Sequence, residues 1–180
     1  MFGREAPRTL EIGFGNGENL VALAAAQPQR DFLGIDVHRP GVGRVLLAVE
    51  ARALTNVRVI CHDAVEVLGQ QIPPEWLEEI LVLFPDPWPK KRHHKRRLMQ
   101  RPFAEVLASR LCFGGRLHIA TDWEPYALEM LETLSAVPEL RNDAAGGAFV
   151  ARPAERAPTR FERRGERLGH EVWDLAFRRA

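Results

Sequence analysis

The stretch that most limits what this chain can become is Glu11-Ile12-Gly13-Phe14-Gly15-Asn16-Gly17. Residues 9–12 read as a short strand, and Leu20, Val21, Leu23 and Ala24 recur at helical spacing beyond the turn, to about Gln27. A strand that passes through alternate glycines into a helix is the first half of a nucleotide-binding unit. Glycines at 13, 15 and 17 let the backbone come close to a ligand, and the new helix offers unpaired N–H groups. The spacing narrows the ligand further. A dinucleotide site uses G-x-G-x-x-G and seats a pyrophosphate on the helix N-terminus. Here the order is acid-x-G-x-G-x-G, and the Glu11 carboxylate would repel a pyrophosphate. A ligand bearing a sulfonium or an ammonium suits it better; a plain tight turn is the alternative.

Downstream, strands and helices alternate, which argues for an α/β fold with a mostly parallel sheet. A second strand, Asp31–Ile35, ends in Asp36, placed to accept hydrogen bonds from ribose hydroxyls or to cap a helix over residues 41–53. Residues 57–61 read as a third strand. Asp63 follows, either facing an adenine amino group or capping a short helix over 64–68. A fourth strand, 80–84, runs into Pro85-Asp86-Pro87-Trp88-Pro89. Proline fixes its own φ and holds the residue before it extended, so Asp86 is aimed by a stiff loop. Trp88 either stacks on a base or seals the loop. Leu98, Phe103, Val106, Leu107 and Leu111 space as a helix that Gly114-Gly115 ends, and a fifth strand spans 116–120. Thr121 and Glu124 have the form of a capping box before a helix over 126–136, while Asp122 sits at a strand's carboxyl end. Residues 142–157 read as a loop and 172–177 as a final strand.

Charge is more telling by position than in total. The 180 residues carry a net charge of +1 and 46% apolar content, consistent with one domain over residues 1–180. Basic residues crowd into 90–101 and 152–167, above all Lys90-Lys91-Arg92-His93-His94-Lys95-Arg96-Arg97. Beside an aimed acid and an indole, that run reads as a docking face for a polyanion. The adjacent His93 and His94 point apart on any regular element, and Cys61 and Cys112 lack zinc-type spacing, so no metal is expected. Both cysteines are expected as reduced core thiols. No run of 18 apolar residues and no leader pattern is present, so a cytoplasmic protein without a membrane span is expected.

Four segments together resemble the bacterial tRNA (guanine-N7)-methyltransferases: Glu11 to Gly17, Phe84-Pro85-Asp86-Pro87-Trp88, Ala120-Thr121-Asp122-Trp123-Glu124, and Thr159-Arg160-Phe161-Glu162-Arg163-Arg164-Gly165. They stand in the family's order across nearly the whole chain. The resemblance implies the class I S-adenosylmethionine-dependent methyltransferase fold: Rossmann-like and doubly wound, seven strands, the last antiparallel. It implies transfer of a methyl group to N7 of a variable-loop guanine, position 46 of tRNA, with S-adenosylhomocysteine as product. It also implies that Glu11, Gly13, Gly15, Gly17, Asp36, Asp63, Ala64 and Asp86 bind the cofactor, with Asp86 also catalytic. Lys90, Asp122, Thr159, Arg160, Phe161 and Glu162 are implied to contact tRNA, and Lys91, Arg92, Lys95, Arg96 and Arg97 are expected to meet its phosphates. The chain departs from the family in carrying Asp36 where glutamate is common, and only nine residues precede Leu10, so the family's N-terminal extension is not expected. An exocyclic-amine methyltransferase, an NAD-dependent oxidoreductase and a non-catalytic RNA-binding module are the rival readings. Oligomeric state is not legible in the sequence.

Overall fold

Near-continuous apolar runs are what strands buried on both faces require, and they build a parallel sheet here. The computed structural model of the chain describes residues 1–146, 148–153, 162 and 171–180. Its elements run β1 (Arg8–Ile12), α1 (Glu18–Ala26), β2 (Asp31–Ile35), α2 (Arg39–Ala51), β3 (Val57–Ile60), α3 (Ala64–Gln70), β4 (Leu77–Leu83), α4 (Arg101–Arg110), β5 (Leu111–Thr121), α5 (Glu124–Ser135), β6 (Leu140–Asn142) and β7 (Trp173–Arg179). The seven strands stand in the order β3-β2-β1-β4-β5-β7-β6. All neighbours from β3 to β5 are parallel, and β7 runs antiparallel to both β5 and β6. Strand order reverses between β1 and β4, which opens a crevice at the carboxyl ends of those two strands.

The sheet carries a core on each face. Leu10, Ile12, Leu33, Ile35, Ile80, Val82, Leu117 and Ile119 face one side, where Val67, Leu68, Phe103, Leu107, Tyr126 and Met130 of α3, α4 and α5 cover them. Phe32 and Val57 face the other, under Leu20, Val21 and Ala24 of α1 and Val45 of α2. A smaller cluster, Leu81, Leu83 and Ala120, lies on that second face and is met by Leu23, Phe84 and Val172. His118 and Asp174, both nearly inaccessible, face each other at 2.7 Å and tie β7 to β5.

Several expectations need correcting. Gly114 and Gly115 do not end a helix; α4 stops at Arg110 and β5 begins at once, with the glycines inside it. The fourth strand stops at Leu83, because Phe84 turns to φ 54°. No capping box forms: the Trp123 N–H donates to Thr121 Oγ1 at 3.2 Å, and Trp123 itself precedes the first turn of α5 without a side-chain cap. Cys61 is exposed and Cys112 half-buried, so neither is a core thiol. Among the described residues no helix is long and apolar enough to cross a membrane.

Candidate functional site

The glycine turn keeps its form through two close approaches. Gly17 stands at φ 74° before α1, and a Cβ there would lie 2.0 Å from Val45 Cγ2. A Cβ on Gly41 would lie 1.9 Å from the Gly15 carbonyl oxygen, so α2 can lie against the turn only with glycine at 41. Gly13 and Gly15, at φ 70° and 58°, face open space, as a ligand-approach surface requires.

Asp36 holds the turn from the next strand. Its Oδ2 accepts the Gly15 N–H at 2.7 Å and its Oδ1 the His38 N–H at 2.8 Å. Beneath the turn Glu11 is 3% exposed and, among the described residues, accepts a hydrogen bond from Asn19 Nδ2 to Oε2 at 3.0 Å. Burial pushes the Glu11 carboxyl up to about 7, opposed by the Asn19 bond and reinforced by the charge of Asp36. Asp63 caps α3, accepting from the N–H groups of Val65 at 2.7 Å and Glu66 at 3.2 Å through one oxygen, with Ala64 as the first residue of the helix. The capping role is thus realised, and the exposed carboxylate keeps its second oxygen for another partner.

Asp86 lies one strand to the other side of β1. It is exposed, and no described residue bonds its carboxylate. Two bulky residues bracket its loop in the left-handed region, Phe84 at φ 54° and Trp88 at φ 43°. Such backbone costs about 1–3 kcal/mol per residue and persists where surrounding structure enforces it. One such restraint is Arg97. Its Nε–H donates to the Pro87 carbonyl at 2.8 Å, its Nη1 pairs with Glu129, and its guanidinium lies 4.7 Å from the Tyr126 ring centroid. The Tyr126 hydroxyl in turn accepts the Met99 N–H at 3.1 Å. Arg97 is therefore 3% exposed and holds the loop from within. This corrects the expectation that it meets phosphate: a buried, paired guanidinium cannot reach a polyanion outside.

The remaining cations of the run behave differently. Lys90, Lys91, Arg92, Lys95 and Arg96 are exposed along a 3-10 turn, Lys91–Arg96, immediately beyond the acid's loop. Trp88 is enclosed by two of the run's side chains, with the Arg96 guanidinium 5.0 Å from its ring and His93 edge-on at 5.8 Å. Asp122 is half-buried just past β5. Glu162 is 2% exposed and pairs with Arg152 at 3.0 Å, while Thr159, Arg160 and Phe161 lie outside the described residues.

Taken along the sheet, the acids stand in the order Asp63, Asp36, Glu11, Asp86, Asp122, each at or near the carboxyl end of its strand. Neighbouring strands are about 4.8 Å apart, so this row is about 19 Å long. A separate cavity of about 550 Å³, lined by Leu23, Glu79, Phe113, Arg116 and His118 among others, touches none of these acids. Its lining of mixed sign and its place below the strand tips give it no part in the site. Asn19 and the Arg97–Glu129–Tyr126 cluster were not legible as site elements, because their partners come together only in the fold.

This strand order, with an acid-glycine turn at the switch point, defines a class I S-adenosylmethionine-dependent methyltransferase fold. Solved structures agree. A SAM-dependent methyltransferase from Aquifex aeolicus superposes with a TM-score of 0.67 at 16% identity, covering 99% of this chain and 86% of that one. An rRNA methylase from Streptococcus thermophilus gives 0.64 at 14%, covering 97% and 87%. Residues 5–175 match the model of a family described as "Putative methyltransferase". The tRNA (guanine-N(7)-)-methyltransferase of Pseudomonas fluorescens Pf0-1 is 58% identical over 177 residues, 98% of this chain and 73% of that protein. That of Escherichia coli K12 is 56% identical over 179 residues, 99% and 75%. The chain belongs to the bacterial tRNA (guanine-N7)-methyltransferase family.

Proposed function

We propose that the protein transfers a methyl group from S-adenosylmethionine to N7 of a guanine in tRNA, the variable-loop position 46 being the expected site. Identity of 56–58% over nearly the whole chain to proteins of that activity carries the substrate and the atom. The geometry supports it: open glycines for a close-lying ligand, a carboxyl with no cation beside it among the described residues, and an exposed rigid acid one strand away. When bound, S-adenosylmethionine supplies a methyl group on a sulfonium, which becomes the thioether of S-adenosylhomocysteine.

In this reading Asp63 and Ala64 meet the adenine, Asp36 the ribose, and Glu11 with the turn 13–17 the amino-acid arm. N7 of guanine is an sp² lone pair without a proton, so no general base is needed there. The C–N7 bond forms as the C–S bond breaks, and positive charge passes to the purine ring. Asp86 accepts from the guanine N1–H and amino group, which selects the base and places a negative charge where positive charge develops. Alignment of nucleophile and methyl carbon is worth about 7–11 kcal/mol of barrier. Lys90 and Asp122, with Thr159, Arg160, Phe161 and Glu162, orient the tRNA, and Lys91, Arg92, Lys95 and Arg96 meet its phosphates. A tRNA substrate places the protein in the cytoplasm.

Methylation of unmodified tRNA followed by mass spectrometry of the nucleosides tests this reading. N7-methylguanosine is expected. A methyl group on an exocyclic amine supports the rival methyltransferase class, and no transfer at all removes both.

A further inference from the structure

Two indoles stand beyond the tips of β4 and β5, and the fold treats them differently. Trp88 is half-buried, with the Arg96 guanidinium 5.0 Å from its ring centroid and His93 edge-on at 5.8 Å. The basic turn already engages it. Trp123 is 38% exposed, whereas Trp76 and Trp173 are half-buried like Trp88. Among the described residues its indole N–H has no hydrogen bond, and its ring meets no aromatic or cationic group. Single exposed apolar side chains are common and need no reason of their own. This one differs in how its backbone is held and in where it stands.

The backbone is fixed on both sides. The Trp123 N–H donates to Thr121 Oγ1 at 3.2 Å, and its carbonyl accepts the N–H groups of Tyr126 and Ala127, each at 3.0 Å. Thr121, Tyr126 and Ala127 are all buried. The sheet sets the position: Leu83 of β4 pairs with Ala120 of β5, and the Phe84 N–H donates to the Ala120 carbonyl at 2.7 Å. Asp86 and Trp123 each follow that pair by three residues, on adjacent strands about 4.8 Å apart. A second link runs through Arg97, which donates to the Pro87 carbonyl and lies 4.7 Å from the ring centroid of Tyr126, in the first turn of α5.

The reaction asks for a partner at the face of the base as well as at its edge. Asp86 is assigned to the N1–H and amino group, which lie in the plane of the ring and leave its faces open. A base on which an enzyme works is drawn out of its stack, and an aromatic side chain can replace the contact it gives up. An indole offers more as transfer proceeds. The C–S bond breaks with its electron pair left on sulfur, the methyl carbon bonds to the N7 lone pair, and the purine becomes positively charged. A cation over an aromatic face is attracted to it, most strongly when the ring is tryptophan.

We propose that the Trp123 indole stacks on the face of the target guanine, holds N7 in line with the methyl group, and tightens its hold as the ring becomes cationic. This deepens the N7-methylation reading above and rests on it. Trp88, in contrast, braces the loop that carries Asp86.

Single-turnover methylation of unmodified tRNA, with tRNA and S-adenosylmethionine saturating, compares wild type with Trp123→Leu and Trp123→Phe. The side chain is exposed, so both variants are expected to keep the wild-type midpoint in urea. Trp123→Leu retains an apolar side chain without a π-face, and is expected to slow formation of N7-methylguanosine roughly 5- to 150-fold, the worth of one base stack. Trp123→Phe keeps a smaller face and is expected to lose less than about fivefold. Affinity for tRNA, carried by phosphate contacts, is expected to stay within about threefold in both. Equal rates for wild type and Trp123→Leu overturn the proposal, and so do equal losses in the two variants, because the π-face would then not matter. A loss confined to tRNA affinity overturns it as well, since Trp123 would then only dock the RNA. If wild type forms no N7-methylguanosine, the N7 reading itself falls and takes this proposal with it.

Discussion

Glu11 shows how one residue's environment becomes measurable. An unfolded glutamate titrates near 4.5, and burial raises this one to about 7. Between those values the folded state holds more protons than the unfolded one, so stability falls as pH rises from about 4.5 through 7. The full effect is roughly 3 kcal/mol. Urea denaturation of wild type against Glu11→Gln is expected to show that difference: the variant gains on wild type as pH rises through this window and holds the gain above about 8. A constant difference across the window would mean that Glu11 is not held neutral in the fold. None of this was legible in the sequence, where Glu11 appeared as an acid before glycines and nothing revealed that Asn19 would be its hydrogen-bond partner among the described residues.

At the scale of elements the acid loop and the basic turn behave as one unit. Arg97, the last cation of the run, reaches back to the Pro87 carbonyl and is anchored by Glu129 and Tyr126 of α5. Arg97 is buried but Glu129 is one-third exposed, so losing this pair and the bond to Pro87 costs about 1–3 kcal/mol. Arg97→Met is expected to lose about that much stability in urea titrations and to slow methyl transfer, while the salt dependence of tRNA binding keeps its slope. A shallower slope would return Arg97 to the phosphate contacts. The six Lys and Arg residues of 90–97 look alike in sequence, and only the fold separates the buried one from its neighbours. The same limit explains the other differences. β2 was read to the residue because it is apolar and flanked by breakers. β6, three residues long, is too short to show a period. α4 passes into β5 without a turn, so Leu111 fitted both patterns.

The whole molecule places its acids and its cations to different ends. Five carboxylates follow the strand tips from β3 to β5, and five exposed cations stand beyond β4. If Lys91, Arg92, Lys95 and Arg96 meet phosphates, log affinity for tRNA is expected to fall against log salt with a slope of about −2.8 to −3.6, from 0.7–0.9 per contact. Lys91→Ala with Arg92→Ala is expected to reduce the slope by nearly two. A flat dependence in filter-binding or fluorescence titrations would remove the docking face. The fold class and strand-tip row were legible because parallel α/β topology puts the residue after each strand on one edge. The segment Thr159 to Phe161 falls outside the described residues, so its part rests on the resemblance.

The central claim is that a rigid, exposed carboxylate one strand from the donor pocket governs methyl transfer. Single-turnover rates of Asp86→Ala, measured with tRNA and S-adenosylmethionine both saturating and their affinities determined alongside, test it most directly. The account predicts a rate lower by on the order of 10² to 10³ with both affinities within about threefold of wild type. A loss of less than about tenfold, with binding intact, would contradict it.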